Sequence, residues 1–418
     1  MRLGTRTTTT AALATALLLA ATAGCSTKAE DSSGTAAPGA SPGGEQVKTD
    51  TGVSGDTITL GVLTDLTGVF AALGKDITNA NSLYWTDKKV CDKYSVKLDI
   101  KDTGYNPQQA VQLYSGMKDS VLAMQQTIGS PINTALGPEY TKDKIVNFPS
   151  AWAANLTEIE GTGVVGATYQ VEISNAYDYL LEKGLLKEGD AVGHIYFEGE
   201  YGANGLAGSK AVAAKKGLKL IEAQVKPTDQ DMTPQITQFK AAGVKAIALT
   251  TSPAQLASAA GVAQAQGLNV PLFGNNPIFS PALLAGPAAD KLKKDLYVSS
   301  PISTFDKHED LLKAYQAKYP GGTPSLGVLF GIGMGDVMKA TLDSACEKGD
   351  LTRQGVLDSF NALSDPDTGG VIVPINGFKT GVSPSLQSFI LKAADVPGGA
   401  TVEKDAFEGQ FAEELAKK

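Results

Sequence analysis

The chain has few of the side chains on which enzyme chemistry depends. It contains two histidines, His194 and His308, and three cysteines among 418 residues. No cysteine and histidine cluster has the spacing of a zinc site, and no G-x-S-x-G turn between a strand and a helix supports an acyl-transfer enzyme. His194 lies within a predicted strand, where a single histidine is usually structural. We therefore expect no catalytic residue, no metal and no cofactor.

Long apolar runs are also lacking. No segment reaches the roughly 18–20 apolar residues that a membrane-spanning helix needs. The first apolar run, residues 11–23, is only 13 residues long and follows Arg2 and Arg6. A basic start, a short apolar region and small residues before Cys25 are typical of a secretory signal peptide.

Residues 21–25 (ATAGC) resemble the lipobox of bacterial lipoproteins, although Thr22 stands where leucine is commonest. In such proteins the cysteine is diacylated and becomes the first mature residue. The resemblance implies removal of residues 1–24, lipidation of Cys25 and anchoring to the outer face of the bacterial cell membrane. A plain signal peptide that contains a cysteine is the alternative.

Residues 25–54 comprise Cys25 and a segment rich in Ser, Gly, Ala and Pro. Residues 26–54 carry too little apolar surface to fold and are predicted to be a disordered tether. Removing residues 1–24 takes away two arginines and no acid, which changes the formal net charge from −8 to −10. An acidic body argues against a nucleic-acid partner.

The body that follows residue 54 is predicted to be α/β. Its length exceeds one ordinary core and fits two lobes. Short apolar segments alternate with helix-period segments, which predicts parallel sheets with right-handed crossovers. The predicted strands are 57–64, 95–101, 122–128 and 144–149, then 191–197, 218–225, 245–250 and 270–274, and finally 370–373 and 387–391.

Two further sequence features have competing interpretations. Cys91 and Cys346 are an even pair in an oxidising exterior, which favours a disulfide over two buried free thiols. Residues 331–336 (GIGMGD) mimic a dinucleotide-binding loop, but Asp336 occupies the last glycine position and the run lies within a helix-period segment. Close helix packing explains these glycines better than a cofactor does.

Residues 61–68 (GVLTDLTG), followed by Gly74, resemble the first strand and loop of type I periplasmic solute-binding proteins, the branched-chain amino-acid and amide receptors of ABC importers. Residues 144–157, 196–216 and 231–240 resemble the same family in the same order. The resemblance implies a two-lobed α/β fold, with a parallel sheet flanked by helices in each lobe and three crossovers between them. By matching, lobe 1 comprises 55–168 plus 299–365, lobe 2 comprises 169–298 plus 366–395, and 396–418 is a C-terminal tail or helix.

The resemblance also implies a ligand site between the lobes, closed by a hinge motion. Ser130 falls near the serine that grips the ligand carboxylate in amino-acid receptors. The implied contact residues are Phe70, Leu73, Ser130, Ser150, Ala151, Trp152, Glu172, Tyr201, Asn275 and Asn276.

Several of these positions depart from the amino-acid receptors. Trp152 stands where a threonine grips the carboxylate, and the acid that pairs the ligand ammonium is replaced within Asn275 and Asn276. An unpaired buried ammonium is costly, so a free amino acid fits only if Glu172 or Glu198 supplies the charge. An apolar-walled site with a few polar anchors suits an amide or a small aromatic or carboxylate solute. Trp152 has an alternative role as a packing residue.

These observations predict an extracytoplasmic, monomeric solute-binding lipoprotein that delivers a small molecule to an ABC permease. A lipoprotein sensor on the same fold, signalling to a membrane receptor, is the alternative. A secreted enzyme is a third possibility that no motif supports.

Overall fold

The computed structural model describes residues 47–417. The predicted signal peptide, Cys25 and residues 26–46 of the predicted tether lie outside the described residues. Residues 47–54, also expected to belong to the disordered tether, instead contain two short paired strands, because their backbone groups hydrogen-bond to the folded body. Across 47–417, no helix combines the length and the apolar character that crossing a membrane requires.

The strands are described here in chain order. They are β1 (Lys48–Thr49), β2 (Val53–Ser54), β3 (Thr57–Thr64), β4 (Lys89–Val90), β5 (Tyr94–Asp102), β6 (Ala123–Ile128), β7 (Asn147–Ser150), β8 (Ala191–Phe197), β9 (Lys219–Val225), β10 (Ala246–Thr250), β11 (Leu272–Asn275), β12 (Leu296–Ser300), β13 (Asp350–Leu351), β14 (Gln387–Ala393) and β15 (Ala400–Glu408).

The α-helices flank these strands. They are α1 (Ala71–Asp87), α2 (Pro107–Met117), α3 (Ser130–Asp143), α4 (Tyr169–Glu182), α5 (Glu200–Lys216), α6 (Thr233–Ala241), α7 (Pro253–Ala265), α8 (Ala289–Asp295), α9 (Glu309–Lys318), α10 (Gly327–Glu347), α11 (Arg353–Asn361) and α12 (Ala412–Leu415).

The first sheet has the order β4-β5-β3-β6-β7, with β2 paired to β3. Strands β3, β5, β6 and β7 are parallel, whereas β2 and β4 pair antiparallel at their ends. Most of β3 is buried because helices cover both faces, which explains its nearly continuous apolar sequence. Helix α2 begins where Asn106 accepts a hydrogen bond from the Gln109 amide and Pro107 occupies the first turn.

The second sheet has the order β15-β14-β12-β11-β10-β8-β9. Strands β8 to β12 are parallel, and β14 and β15 extend the sheet antiparallel beyond β12. The segment 396–418, expected to be a tail or helix, therefore contains the edge strand β15 as well as the short helix α12. The expected lobe division at residue 299 falls within β12.

The chain crosses between the two sheets three times, after β7, after β12 and after α11. The crossing segments run side by side, because Ala167 bridges Ser385 and Ile302 bridges Ile372. The prediction of a strand at 370–373 is wrong. Its apolar side chains are buried at this crossing instead, where Val373 donates a hydrogen bond of 2.9 Å to the Pro301 carbonyl.

The glycine-rich run 331–336 lies inside α10 and packs that helix closely on α1. A Cβ at Gly331 would lie 2.7 Å from the Ala80 Cβ, and one at Gly335 would lie 2.5 Å from the Tyr84 ring. The preference for helix packing over a dinucleotide loop is confirmed.

Cys91 and Cys346 form a disulfide with a Cα–Cα distance of 6.4 Å. The bond joins the residue after β4 to the last turn of α10, so it ties two elements of the first lobe together. The expected pairing is confirmed.

Replacing both cysteines by serine is expected to destabilise the protein. The bond spans 255 residues of sequence, and loop closure over such a length contributes up to about 5 kcal/mol. Urea denaturation of the Cys91→Ser/Cys346→Ser protein measures the loss. Dithiothreitol should lower the wild-type midpoint toward that of the variant and leave the variant unchanged. A wild-type midpoint insensitive to reductant would contradict the prediction.

Candidate functional site

A narrow, partly open cavity lies between the two lobes. Six of the ten expected contact residues line it together with five others. The lining residues are Phe70, Leu73, Tyr105, Ile128, Gly129, Ser130, Ser150, Trp152, Tyr169, Tyr201 and Pro277.

The loop between β3 and α1 places Phe70 at this cavity. The Asp65 carboxylate accepts hydrogen bonds from the amides of Gly68 and Phe70, at 2.5 and 2.9 Å. Asp65 is itself fully buried, so backbone amides of this loop are hydrogen-bonded to a single buried carboxylate. This conformation fixes the start of α1 and directs the Phe70 ring toward the second lobe.

Aromatic rings meet across the cleft. Phe70 lies 6.3 Å from the ring centroids of both Phe197 and Tyr201, and Trp152 lies 5.9 Å from that of Tyr169. Trp152 is 1% exposed, and its indole nitrogen donates to the Val165 carbonyl at 2.8 Å. Trp152 is thus both a core residue and a wall of the cavity, so the two expected roles coincide.

Ser130 opens α3 and brings a polar group to this apolar cavity. Its hydroxyl is buried and makes no hydrogen bond of ordinary geometry, although the Tyr169 hydroxyl lies nearby. The preceding Gly129 has φ +96°, and a Cβ there would lie 2.6 Å from the Tyr105 ring. Only glycine allows this turn against that ring. The first amides of α3 lack helical partners, and the helix dipole favours an anion at this end.

Behind the cavity, Glu172 is fully buried and contacts two amides. Its carboxyl accepts from the Asn276 backbone amide at 3.3 Å and from the Asn275 side chain at 3.4 Å. Burial raises the pKa of Glu172 well above its usual range, and these hydrogen bonds offset the shift only in part. Burial therefore disfavours the charged form of Glu172, and the group does not line the cavity.

A chain of hydrogen bonds continues from this acid. Asn275 accepts from the Thr250 hydroxyl at 3.2 Å, and that hydroxyl lies 2.9 Å from His194 Nε2. Because Thr250 donates onward, His194 Nε2 is the protonated nitrogen. Burial lowers the pKa of His194 to about 3, which keeps the ring neutral. The structural role expected for His194 agrees with this position.

The remaining expected contact residues lie around the cavity rather than on its surface. Ala151 and Asn275 are fully buried behind it. Asn276 lines a neighbouring cavity, whose wall also includes Leu73. Tyr105 and Tyr169 were not expected. Their positions in the chain could have indicated a place at the site, because Tyr105 follows the end of β5 and Tyr169 begins α4.

Within residues 47–417, no group of three or more histidine, cysteine or acidic side chains is arranged to hold a metal ion. The tyrosines of the cavity are also uncharged. Burial raises the pKa values of Tyr169 and Tyr201 well above that of a free tyrosine. The cavity therefore offers aromatic faces, hydroxyl groups and one helix terminus.

The profile of a family described as periplasmic binding protein matches residues 57–390. The chain belongs to this family. Among solved structures, it resembles a fatty acid ABC transporter substrate-binding protein from Thermomonospora curvata. That protein is 36% identical, with a TM-score of 0.86, over 89% of this chain and 97% of the other. No curated protein sequence matches significantly.

More distant periplasmic binding proteins share the fold. A branched-chain amino acid ABC transporter protein from Thermus thermophilus, with bound valine, is 17% identical with a TM-score of 0.76, over 87% of this chain and 99% of the other. A leucine-binding protein from Thermotoga maritima is 16% identical with a TM-score of 0.71, over 84% and 98%. The expected family and the two-lobed fold are confirmed, and the family is one of solute-binding proteins outside the cytoplasm.

Replacing Glu172 by glutamine is expected to change how stability depends on pH. An unfolded glutamate ionises near pH 4.3, whereas folded Glu172 keeps its proton to higher pH. The folded state then binds more protons, so the wild-type free energy of unfolding falls as pH rises above about 4.3, by up to about 1.4 kcal/mol per unit. Thermal melts of Glu172→Gln should show an advantage over wild type that grows from pH 5 to pH 8.

Glu198→Gln is the matched control, because Glu198 is exposed. Its difference from wild type should not grow in the same way. A Glu172→Gln protein that melts below wild type by a constant amount at every pH would contradict the raised pKa of Glu172 in the folded protein.

Proposed function

We propose that this periplasmic binding protein is a solute-binding lipoprotein of an ABC importer that captures an organic acid with an apolar body. The observation that carries the proposal is the Ser130 hydroxyl, buried without an ordinary hydrogen bond at the start of α3, inside a cavity with aromatic walls. A carboxylate there accepts hydrogen bonds from Ser130 and from the first turn of the helix, and its apolar body packs on the rings.

The charges around the cavity support an acid rather than an amino acid. No aspartate or glutamate is among the described residues that line it. The Glu172 carboxyl lies behind the cavity, where burial disfavours its charged form and Asn275 and Asn276 donate to it, and Glu198 is exposed. An ammonium group in this cavity lacks a counter-charge, which costs several kcal/mol.

The similarity to the Thermomonospora curvata protein supports the same class of ligand. That protein is described as a fatty acid ABC transporter substrate-binding protein and is 36% identical over nearly its whole length. A fatty acid combines a carboxylate with an apolar chain, which is the combination that the cavity fits. The valine-bound relative is far more distant at 17% identity.

Capture and release follow from the two-lobed fold. Phe70 and Trp152 belong to one lobe, and Tyr169 and Tyr201 belong to the other, so the rings separate when the lobes part. Rotation about the three crossing segments opens the cavity, and the ligand then draws the rings together. The closed form presents a continuous surface of both lobes to the permease. We propose that a monomer performs this cycle, with the lobe boundaries given by the family resemblance.

Anchoring through Cys25 completes the proposal. A diacylated cysteine holds a protein stably on a membrane, and a flexible tether keeps the binding body near its permease. Tethering raises the effective concentration of the two partners rather than their intrinsic affinity.

Octanoate is expected to bind, whereas valine is not. A ligand at a hundred times its Kd adds about 2.7 kcal/mol to the free energy of unfolding, which a thermal-shift assay detects. In a Trp85→Phe background Trp152 is the single tryptophan, so its emission reports binding in the cavity directly. Octanamide should bind more weakly than octanoate, because it lacks the charge that the helix terminus favours.

Ser130→Ala should weaken octanoate binding by about tenfold or more, since a hydrogen bond to a charged group contributes about 1.5–3 kcal/mol. Ser115→Ala is the matched control on the exposed face of α2. Binding of valine but not octanoate, or equal affinity for octanoate and octanamide, would contradict the proposal.

Cys25→Ser is expected to release the protein from the membrane. Without the thiol no acyl chain can be attached, so the variant should appear in the soluble extracytoplasmic fraction while wild type sediments with membranes. Mass spectrometry of the wild-type N-terminus should show an acylated Cys25. Wild-type protein that is equally soluble would show that the leader is a plain signal peptide.

A further inference from the structure

The second cavity lies beside the first, on the other side of Leu73. It is a narrow, partly open space lined by the edge of the second sheet and the start of α10. Val298 pairs with Leu391 across β12 and β14, and Ala393 pairs with Ala400 across β14 and β15. These four side chains all face the cavity, so its floor follows the sheet across three strands, about 10 Å.

The polar groups at this second cavity already have partners. The Ser300 hydroxyl donates to the Ile302 carbonyl, and the Ser325 hydroxyl donates to the Asp76 carboxylate at 2.7 Å. The Asn276 side chain donates to Glu172. Among the described lining residues no buried side-chain polar atom is left without a partner. A hydrocarbon can therefore fill this space without displacing a hydrogen bond.

The two cavities are neighbours in space. Leu73 lines both of them. Asn276 lines the second cavity and the next residue, Pro277, lines the first. Leu73 thus lies between the two cavities, and a molecule that extends from the Ser130 end into the second cavity has to displace its side chain.

The turn between β14 and β15 lines the far end of the second cavity. Gly398 in this turn packs so tightly that a Cβ would lie 2.8 Å from side-chain atoms of both Leu326 and Phe305. Ala393, Gly398 and Ala400 form the lining at this end.

We propose that the second cavity is the binding site for the acyl tail of the ligand, and that Ala393 and Leu326 set the longest tail that it accepts. This inference rests on the proposed function, because it requires a carboxylate at Ser130. The protein is then selective for chain length as well as for charge. The tail passes Leu73 and lies between the second sheet and the start of α10.

Titration of full-length protein with butanoate, octanoate and dodecanoate tests the proposal. Wild-type affinity should rise by about fourfold per methylene, the equivalent of about 0.8 kcal/mol, until the tail reaches the end wall. Ala393→Leu fills part of the cavity and should weaken dodecanoate binding by about tenfold or more while leaving butanoate unchanged. Leu326→Ala enlarges the cavity and should move the preference toward longer acids.

Ala214→Leu, the same substitution on the exposed face of α5, is the matched control and should change no affinity. Thermal melts establish that each variant is folded. If wild type binds carboxylates with no dependence on chain length, or if Ala393→Leu weakens all three acids equally, the tail site is wrong and the proposed function stands. If wild type binds none of the acids, both are wrong.

Discussion

The direction of the strands determines where this protein can bind anything. In each lobe the parallel strands end at one edge of the sheet, and the three crossings hold those two edges facing each other. Helix termini and loops at these edges supply the cavity with Phe70, Ser130, Trp152, Tyr169 and Tyr201. The bridges between Ala167 and Ser385 and between Ile302 and Ile372 keep the crossing segments side by side between these edges.

Within that cleft the protein avoids charge. Glu172 occupies the region where a counter-charge for an ammonium group would be useful, yet burial raises its pKa and disfavours the charged form, and the hydrogen bonds from the two asparagines offset this only in part. His194 is neutral as well, at the other end of the same hydrogen-bonded chain. These groups are joined by hydrogen bonds to one another, whereas the Ser130 hydroxyl at the start of α3 is left without a partner of ordinary geometry.

The sequence predicted the alternation of strands and helices, the family and the Cys91–Cys346 pair. The resemblance to the family, matched position by position, placed Phe70, Ser130 and Tyr201 at the cleft, whose cavity they line. The sequence pattern missed β15 because the sequence of Ala400–Glu408 is mostly polar, as suits an edge strand with one exposed face. It also mistook 370–373 for a strand, since burial at a crossing requires the same apolar side chains. The second cavity was beyond prediction, because its walls come from residues up to 327 positions apart that only tertiary packing brings together.

The disulfide has a consequence for the order in which the molecule is completed. Cys91 and Cys346 both belong to the first lobe, but every strand from β8 to β12 lies between them in the sequence. During synthesis the first lobe therefore has to wait for α10, and hence for the whole parallel core of the second lobe, before its cross-link can form. The first lobe, whose strands come first in the described chain, therefore gains its disulfide only after strands β8 to β12 of the second lobe have been synthesised.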